Sequence, residues 1–307
     1  MQIFFKSDSF PRKFWNSIAT IGIFDGVHIA HQVILKRVLK RSHRLKTKSL
    51  VVTFDPHPAK ILTPSRVPPL LMSLEHRLRL LGQMGFDVCW VIHFTRPVAH
   101  LSAEDFVRDF LADKLHIREL YVGEGFRFGR KNEGDVSLLK ILGKEHQFFV
   151  HPVKTIQIGR EKISSTRIRH FIEKGRFSQA SSLLGRPVSI FGTVVKGKGL
   201  GRRLGFPTAN LNPHQEATPP RGVYCGWTNL EDRRYGCVVN IGLRPTIERR
   251  HQSSMIVEVH LLDFRGNLYH RDLEILFVKK LREEKKFPSL EALSHQVQRD
   301  IKQAKEL

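Results

Sequence analysis

The sequence predicts an α/β chain in two parts, a doubly wound parallel domain followed by an antiparallel β domain with a terminal helix. Three patterns carry that expectation. In the first half, short apolar runs alternate with amphipathic stretches, as parallel strands buried on both faces alternate with their helices. In the second half, β-branched and aromatic runs are separated by Gly, Pro, Asn and Asp, as in an antiparallel barrel or sandwich. The last stretch spaces its apolar residues three to four apart, which makes one helical stripe.

In chain order, IATIGIF (18–24), SLVVTF (49–54), VCWVIHF (88–94) and ELYVG (119–123) read as buried strands. Residues 32–40, 74–84 and 103–114 read as the helices between them. The last of these opens on Ser102 and Asp105, a capping-box spacing with Asp in place of the better Glu. Strand–helix alternation gives right-handed crossovers and a Rossmann-like sheet. Such sheets bind ligands beyond the carboxyl ends of their strands. The pattern changes at Leu184-Gly185-Arg186-Pro187, so the expected domains are 1–185 and 186–307. Beyond it SIFGTVVKG, GVYCGWTNL, YGCVVNIG, MIVEVHLLDF and LEILFVKKL read as strands. Leu290, Leu293, Val297 and Ile301 mark the final helix, over 289–305.

Composition narrows the function classes. A length of 307 residues suits two domains. No run approaches the ~18 apolar residues of a membrane span, and charges and a proline interrupt the first fifteen residues where a signal peptide needs an apolar stretch. Three cysteines, Cys89, Cys225 and Cys237, form no C-x-x-C pair; an odd, sparse set fits a reduced, cytoplasmic location. The net charge of +22 favours anionic partners. A nucleic-acid-binding protein is therefore a second reading, but no basic tail and no RNA- or DNA-binding motif accompanies the charge.

Two segments carry the chemistry. Gly22-Ile23-Phe24-Asp25-Gly26-Val27-His28-Ile29-Ala30-His31 follows the first buried strand. Gly26 permits a tight turn, and a helix starting near His28 or His31 presents free N–H groups to phosphate. His28 and His31, three apart, fall on one helical face and can donate to a triphosphate and to charge developing on pentacoordinate phosphorus. A pair of surface histidines at a helix start is the plain alternative. Other loops at strand ends offer His57 between two prolines and Arg127 in Gly123-Glu124-Gly125-Phe126-Arg127-Phe128-Gly129. Ser164-Ser165-Thr166-Arg167-Ile168-Arg169 caps a helix over 168–174 and doubles as an anion cradle.

The second segment is Gly205-Phe206-Pro207-Thr208-Ala209-Asn210. Thr208 and Asn210 lie two apart on extended chain and so face one way. Their oxygens are hard ligands suited to Mg²⁺ carried with ATP phosphates. Gly197, Gly199 and Gly201 precede them in a glycine-rich flap that is not a P-loop. Glu258, alone among apolar neighbours in MIVEVH, is a candidate base for a substrate hydroxyl or else a solvent-facing strand residue.

Together GIFDGVHIAHQ (22–32), TFDPHP (53–58), VGEGFRFG (122–129), SSTRIR (164–169), LLGRP (183–187), GKGLGRRLGFPTAN (197–210), GVY (222–224), NIGLRPT (240–246), VEVHLLDF (257–264) and LREEKKF (281–287) resemble the bacterial bifunctional riboflavin kinase/FAD synthetase family over nearly the whole chain. Each motif alone is weak; their joint order is specific. The resemblance implies an N-terminal nucleotidylyltransferase domain and a C-terminal flavokinase barrel, with riboflavin, FMN, FAD and ATP as ligands. It implies that Gly22, Phe24, Asp25, His28, His31, Ser164, Ser165, Thr166 and Arg169 bind ATP for adenylyl transfer. It also implies that Gly197, Gly199, Gly201, Thr208 and Asn210 bind Mg-ATP in the kinase, that Glu258 is the base, and that His57, Arg127 and Arg282 lie on the flavin side. Three positions depart from the family pattern: Ala30 and His270 stand where glycine is usual, and Gly125 where Asp or Asn is usual. A riboflavin kinase with a weakened or lost adenylyl half is the corresponding alternative.

Overall fold

The computed structural model describes residues 1–5, 10–154, 156–158, 161–197, 201, 204–214, 217–243 and 255–306. They form two compact units, one of residues 1–68 and 74–164, the other of 69–73 and 165–307.

The first unit is a six-stranded, all-parallel sheet in the order β1-β4-β3-β2-β5-β6. Its elements are β1 (Gln2–Phe4), β2 (Ile18–Ile21), α1 (Ile29–Leu45), β3 (Ser49–Asp55), α2 (Pro58–Leu62), α3 (Leu74–Gln83), β4 (Val88–His93), α4 (Arg96–His100), α5 (Ala103–Phe106), β5 (Glu119–Gly123), α6 (Val136–Glu145), β6 (Phe149–Val153) and a small hairpin of β7 (Gln157–Ile158) and β8 (Glu161–Lys162). The four strands expected from apolar runs are the sheet's centre, where Ile18, Ala19, Leu50, Val51, Val52 and Val88 have no exposed surface. The two edge strands gave no comparable signal. β1 is three residues long, and β6 carries Pro152 and a Phe149 that is 68% exposed, both features of an edge.

From β2 the chain winds outward through β3 and β4, then returns to add β5 on the other side of β2. The loop leaving β2 therefore sits at the topological switch point, where open α/β sheets bind ligands. One helical expectation needs correction. Residues 103–114 are not one α-helix; α5 passes at Val107–Ala112 into a π-helical turn. Phe106, Val107 and Leu111 from these two segments all reach the core.

In the second unit α7 (Ser165–Glu173) and α8 (Phe177–Leu184) precede a closed antiparallel barrel, ordered β10-β13-β12-β11-β14-β9. Its strands are β9 (Ser189–Val195), β10 (Ala209–Pro213), β11 (Gly222–Leu230), β12 (Arg233–Leu243), β13 (Met255–Leu261) and β14 (Asp272–Arg282). Alternation sets two faces. Leu211, Tyr224, Val239, Ile241, Val257, Val259, Leu273 and Ile275 fill the interior. The residues between them point outward, and there α9 (Leu290–Lys305) packs on Val223, Cys225, Val238 and Leu262 through Ala304 and Ile301. Leu290 departs from the expected stripe, being 53% exposed, whereas Gln296 and Asp300 are buried. Ser289 is the N-cap of α9, its hydroxyl accepting from the Ala292 amide at 3.2 Å. α7 starts at Ser165, so Ser165 and Thr166 lie in its first turn and not ahead of a helix beginning at Ile168.

Candidate functional site

The loop after β2 is built as a tight turn. The strand ends at Ile21, earlier than the expected Phe24, and Phe24, Gly26 and Val27 all take positive φ, of 52°, 84° and 38°. Only Gly26 adopts that backbone without penalty. Gly22 is tight for a different reason: a Cβ there would lie 3.1 Å from the Phe24 ring. Asp25, Gly26 and Val27 are buried within the turn.

His28 is not on the helix but is its N-cap, with Nδ1 accepting from the His31 amide at 3.4 Å. That acceptor role leaves the proton of a neutral His28 ring on Nε2. The two imidazoles stack at 3.6 Å with 17° between their planes, and Phe24 meets His31 edge-on at 5.3 Å. Burial pushes the His31 pKa well below its ordinary value, helped by the charges of His28 and Arg77. His31 Nδ1 is buried without a hydrogen-bond partner among the described residues. α1 has no acidic residue in its first turn to offset its N-terminal dipole. The turn thus offers a helix N-terminus and two close imidazoles to an anion. Ala30 occupies the first turn of α1, where alanine favours helix over glycine by about 1 kcal/mol.

His57 caps α2, its Nδ1 accepting from the Ala59 amide at 3.1 Å. Arg127 is 57% exposed and 3.7 Å from Asp135, which caps α6. A Cβ on Gly125 meets nothing within 4 Å. Ser164 ends the first unit, whereas Ser165, Thr166 and Arg169 belong to the second, where the Arg169 Nε donates to the Pro69 carbonyl at 2.6 Å. Arg77 was not foreseen. It comes from α3 and donates through Nη1 to the Ile23 carbonyl and through Nη2 to the Phe54 carbonyl at 3.0 Å.

In the barrel, register does the assembling. Asn210 on β10 pairs with Glu258 on β13, Glu258 with Asn240 on β12, Asn240 with Val223 on β11, and Val223 with Arg282 on β14. These five residues form one rung around the outer face and all line a cavity of about 380 Å³. Thr208 joins them two residues before Asn210, so the pair faces one way as expected. Glu258 is therefore not simply solvent-facing; its carboxylate is 3.5 Å from the Asn240 Nδ2. The His260 ring nitrogen Nδ1 lies 2.8 Å from the Pro207 carbonyl and tethers the Thr208 segment to the strand carrying Glu258.

The flap glycines have a steric reason. A Cβ on Gly197 would run into the Asn210 amide, and one on Gly201 into the Phe206 carbonyl and, at 3.0 Å, the Thr208 Oγ1. Gly199 and residues 244–246 of the NIGLRPT motif lie outside the described residues.

α9 roofs the cavity with Leu293, Val297 and Asp300. Arg282 is held there by Asp300, Nη2 to Oδ2 at 2.8 Å and Nε to both oxygens at 3.0 and 3.1 Å, with Asp300 only 3% exposed. Gln296 donates to Asp300 and accepts from Lys285, both at 2.8 Å. Asp300 and Gln296 escaped the sequence reading, their only trace the polar gap in the helical stripe; Asn240 opens the NIGLRPT motif but gained no role from it. Among the described residues no cluster of three His, Cys, Asp or Glu could hold a metal by itself.

Comparison with known proteins places these two sites in context. A FAD synthetase family model matches residues 11–167 and a riboflavin kinase model matches residues 184–307. The bifunctional riboflavin kinase/FMN adenylyltransferase of Pseudomonas fluorescens is 39% identical over 290 residues, covering 94% of this chain and 92% of that protein. The protein of the same name from Escherichia coli K12 is 37% identical with the same coverage. Among solved structures, one titled a macrolide-efflux protein from Streptococcus pneumoniae superposes with a TM-score of 0.82 at 26% identity, covering 98% of this chain and 96% of its own. In the present chain, no helix among the described residues is long and apolar enough to cross a membrane.

Proposed function

The chain belongs to the bifunctional riboflavin kinase/FMN adenylyltransferase family, and from that membership we propose how its residues divide two reactions. It phosphorylates riboflavin to FMN and adenylylates FMN to FAD. What carries the kinase assignment is the rung Asn210–Glu258–Asn240, set by strand register beneath an apolar roof.

In the kinase reading, Glu258 takes the proton of the ribityl 5′-hydroxyl as that oxygen attacks the γ-phosphorus of ATP, and ADP leaves. Asn240 orients the carboxylate. Val223, Val238, Phe287, Leu293 and Val297 supply an apolar wall fit for a flat flavin ring. Thr208 and Asn210 line the cavity and carry two hard oxygens, and the close-packed Gly197 and Gly201 leave backbone beside them. This donor set fits Mg²⁺ delivered with nucleotide, since two neutral oxygens suffice when phosphates complete the shell. Mg²⁺ would neutralise charge on the transferring phosphoryl group. Arg282 acts on the flavin side by locking α9 through Asp300. The Asn210→Ala variant should raise the KM for Mg-ATP in riboflavin phosphorylation about tenfold, as loss of one ~1.5 kcal/mol interaction with a charged group implies. FMN adenylylation by the same variant should be unchanged, which a parallel assay of both steps checks.

In the adenylyl-transfer reading, the FMN phosphate itself attacks the α-phosphorus of ATP and pyrophosphate leaves, so no protein nucleophile is required. The His28 Nε2 proton and the N-terminus of α1 meet the phosphates. His31, whose pKa burial holds well below its ordinary value, meets the phosphates as a neutral ring. By family resemblance, Gly22, Phe24, Asp25 and Ser164 shape this ATP site, and His57 and Arg127 face the flavin. The three buried, unpaired thiols suit a cytoplasmic enzyme. Incubation with riboflavin, ATP and Mg²⁺, followed by separation of FMN from FAD, tests the reading: both products are expected, and FMN alone would favour a kinase with a failed adenylyl half.

A further inference from the structure

Arg77 is a buried guanidinium that ties the loop leaving β2 to the end of β3. It is 6% exposed and emerges from α3, with no motif around it. One arm donates to the Ile23 carbonyl, inside the turn that carries the histidines; the other donates to the Phe54 carbonyl near the end of β3, at 3.0 Å. The Thr53 hydroxyl adds a bond to the same Ile23 carbonyl at 3.3 Å. Burial holds the Arg77 pKa below its ordinary value, a cost that the nearby carboxylates of Asp25, Asp55 and Glu75 only partly offset. A lysine could not reach both carbonyls, because only the planar fork presents several donors in fixed directions. The turn it holds contains two non-glycine residues at positive φ, Phe24 and Val27. Such backbone persists only when its surroundings over-determine it.

We propose that Arg77 is a positioning residue for adenylyl transfer: by bridging Ile23 and Phe54 it holds the turn that aims His28 and His31 at the nucleotide phosphates. The inference rests on the assignment of that turn to FMN adenylylation. Burial is the main reason the His31 ring resists protonation, and the nearby Arg77 guanidinium adds to it. Removing Arg77 therefore loosens the turn and, separately, lets His31 protonate at higher pH.

The two consequences can be read apart. Arg77→Ala should lower kcat for FAD formation from FMN by about 10²-fold, the scale of an ångström-level misplacement, and raise the KM for ATP less. Free guanidinium at tens of millimolar should restore part of that rate, and methylammonium should not. Arg77→Lys should keep the pH profile of the wild type, since it keeps the charge, yet remain slow because it cannot bridge. In Arg77→Ala the acid limb of the profile should move to higher pH. Riboflavin phosphorylation by both variants serves as the internal control, and thermal unfolding shows whether the first unit is intact. Rates for FAD formation within twofold of wild type in both variants would overturn the proposal. So would a loss in well-folded variants that guanidinium does not relieve and whose pH profile does not move. If His31→Ala also leaves FAD formation intact, the assignment of the turn has failed; if His31→Ala abolishes it and Arg77→Ala does not, only the role of Arg77 has.

Discussion

Replacing Glu258 with glutamine should lower riboflavin phosphorylation by about 10²–10⁴-fold, the range for loss of a general base, while supplied FMN is still converted to FAD. The change is nearly isosteric, so Asn210 on one side and Asn240 on the other keep their places in the rung. Glutamine preserves the polar contact to Asn240 but cannot accept a proton from the ribityl hydroxyl. A kinase rate within a few-fold of wild type, measured by FMN appearance under saturating ATP, would remove Glu258 from the reaction.

Truncating His31 to alanine should cost FAD formation about 10²–10³-fold, as removal of one transition-state donor does elsewhere, with riboflavin phosphorylation unaffected. Three features concentrate the effect in this residue: it stacks on His28, it meets Phe24 edge-on, and its Nδ1 is buried without a partner among the described residues. The measurement is pyrophosphate release from ATP and FMN, beside a thermal melt of the variant. Full adenylyl transfer by a folded His31→Ala protein would mean that the histidines serve the turn and not the phosphate.

Much of this arrangement was legible in the sequence because the residues concerned are close in the chain. Thr208 and Asn210 face one way by the alternation of extended backbone, and the histidine turn follows directly from the end of an apolar strand. The centre of the sheet announced itself through strands buried on both faces. Its edges did not, since β1 is too short and β6 too exposed and proline-bearing to differ from a loop. The groups that complete each site come from elsewhere in the fold. Arg77 reaches the histidine turn from α3, and Asp300 reaches Arg282 from α9; nothing local distinguishes either from a surface charge. Asn240 acquires its place beside Glu258 only through pairing of β12 with β13. The stripe of α9 misled at Leu290 because apolar spacing cannot tell a residue packed on the barrel from one beyond its edge.

The central claim is that two separate sites on one chain perform the two steps, with FMN passing between them as a free product at need. Mixing the Glu258→Gln and His31→Ala proteins in one vessel with riboflavin, ATP and Mg²⁺ tests it most directly. Neither protein alone should make appreciable FAD from riboflavin, the first for lack of FMN and the second for lack of adenylyl transfer. The mixture should make FAD, because each variant supplies the step the other lacks. A mixture that yields no more FAD than its separate components, or a single variant that completes both steps unaided, would contradict the division of labour between the histidine turn and the Glu258 rung.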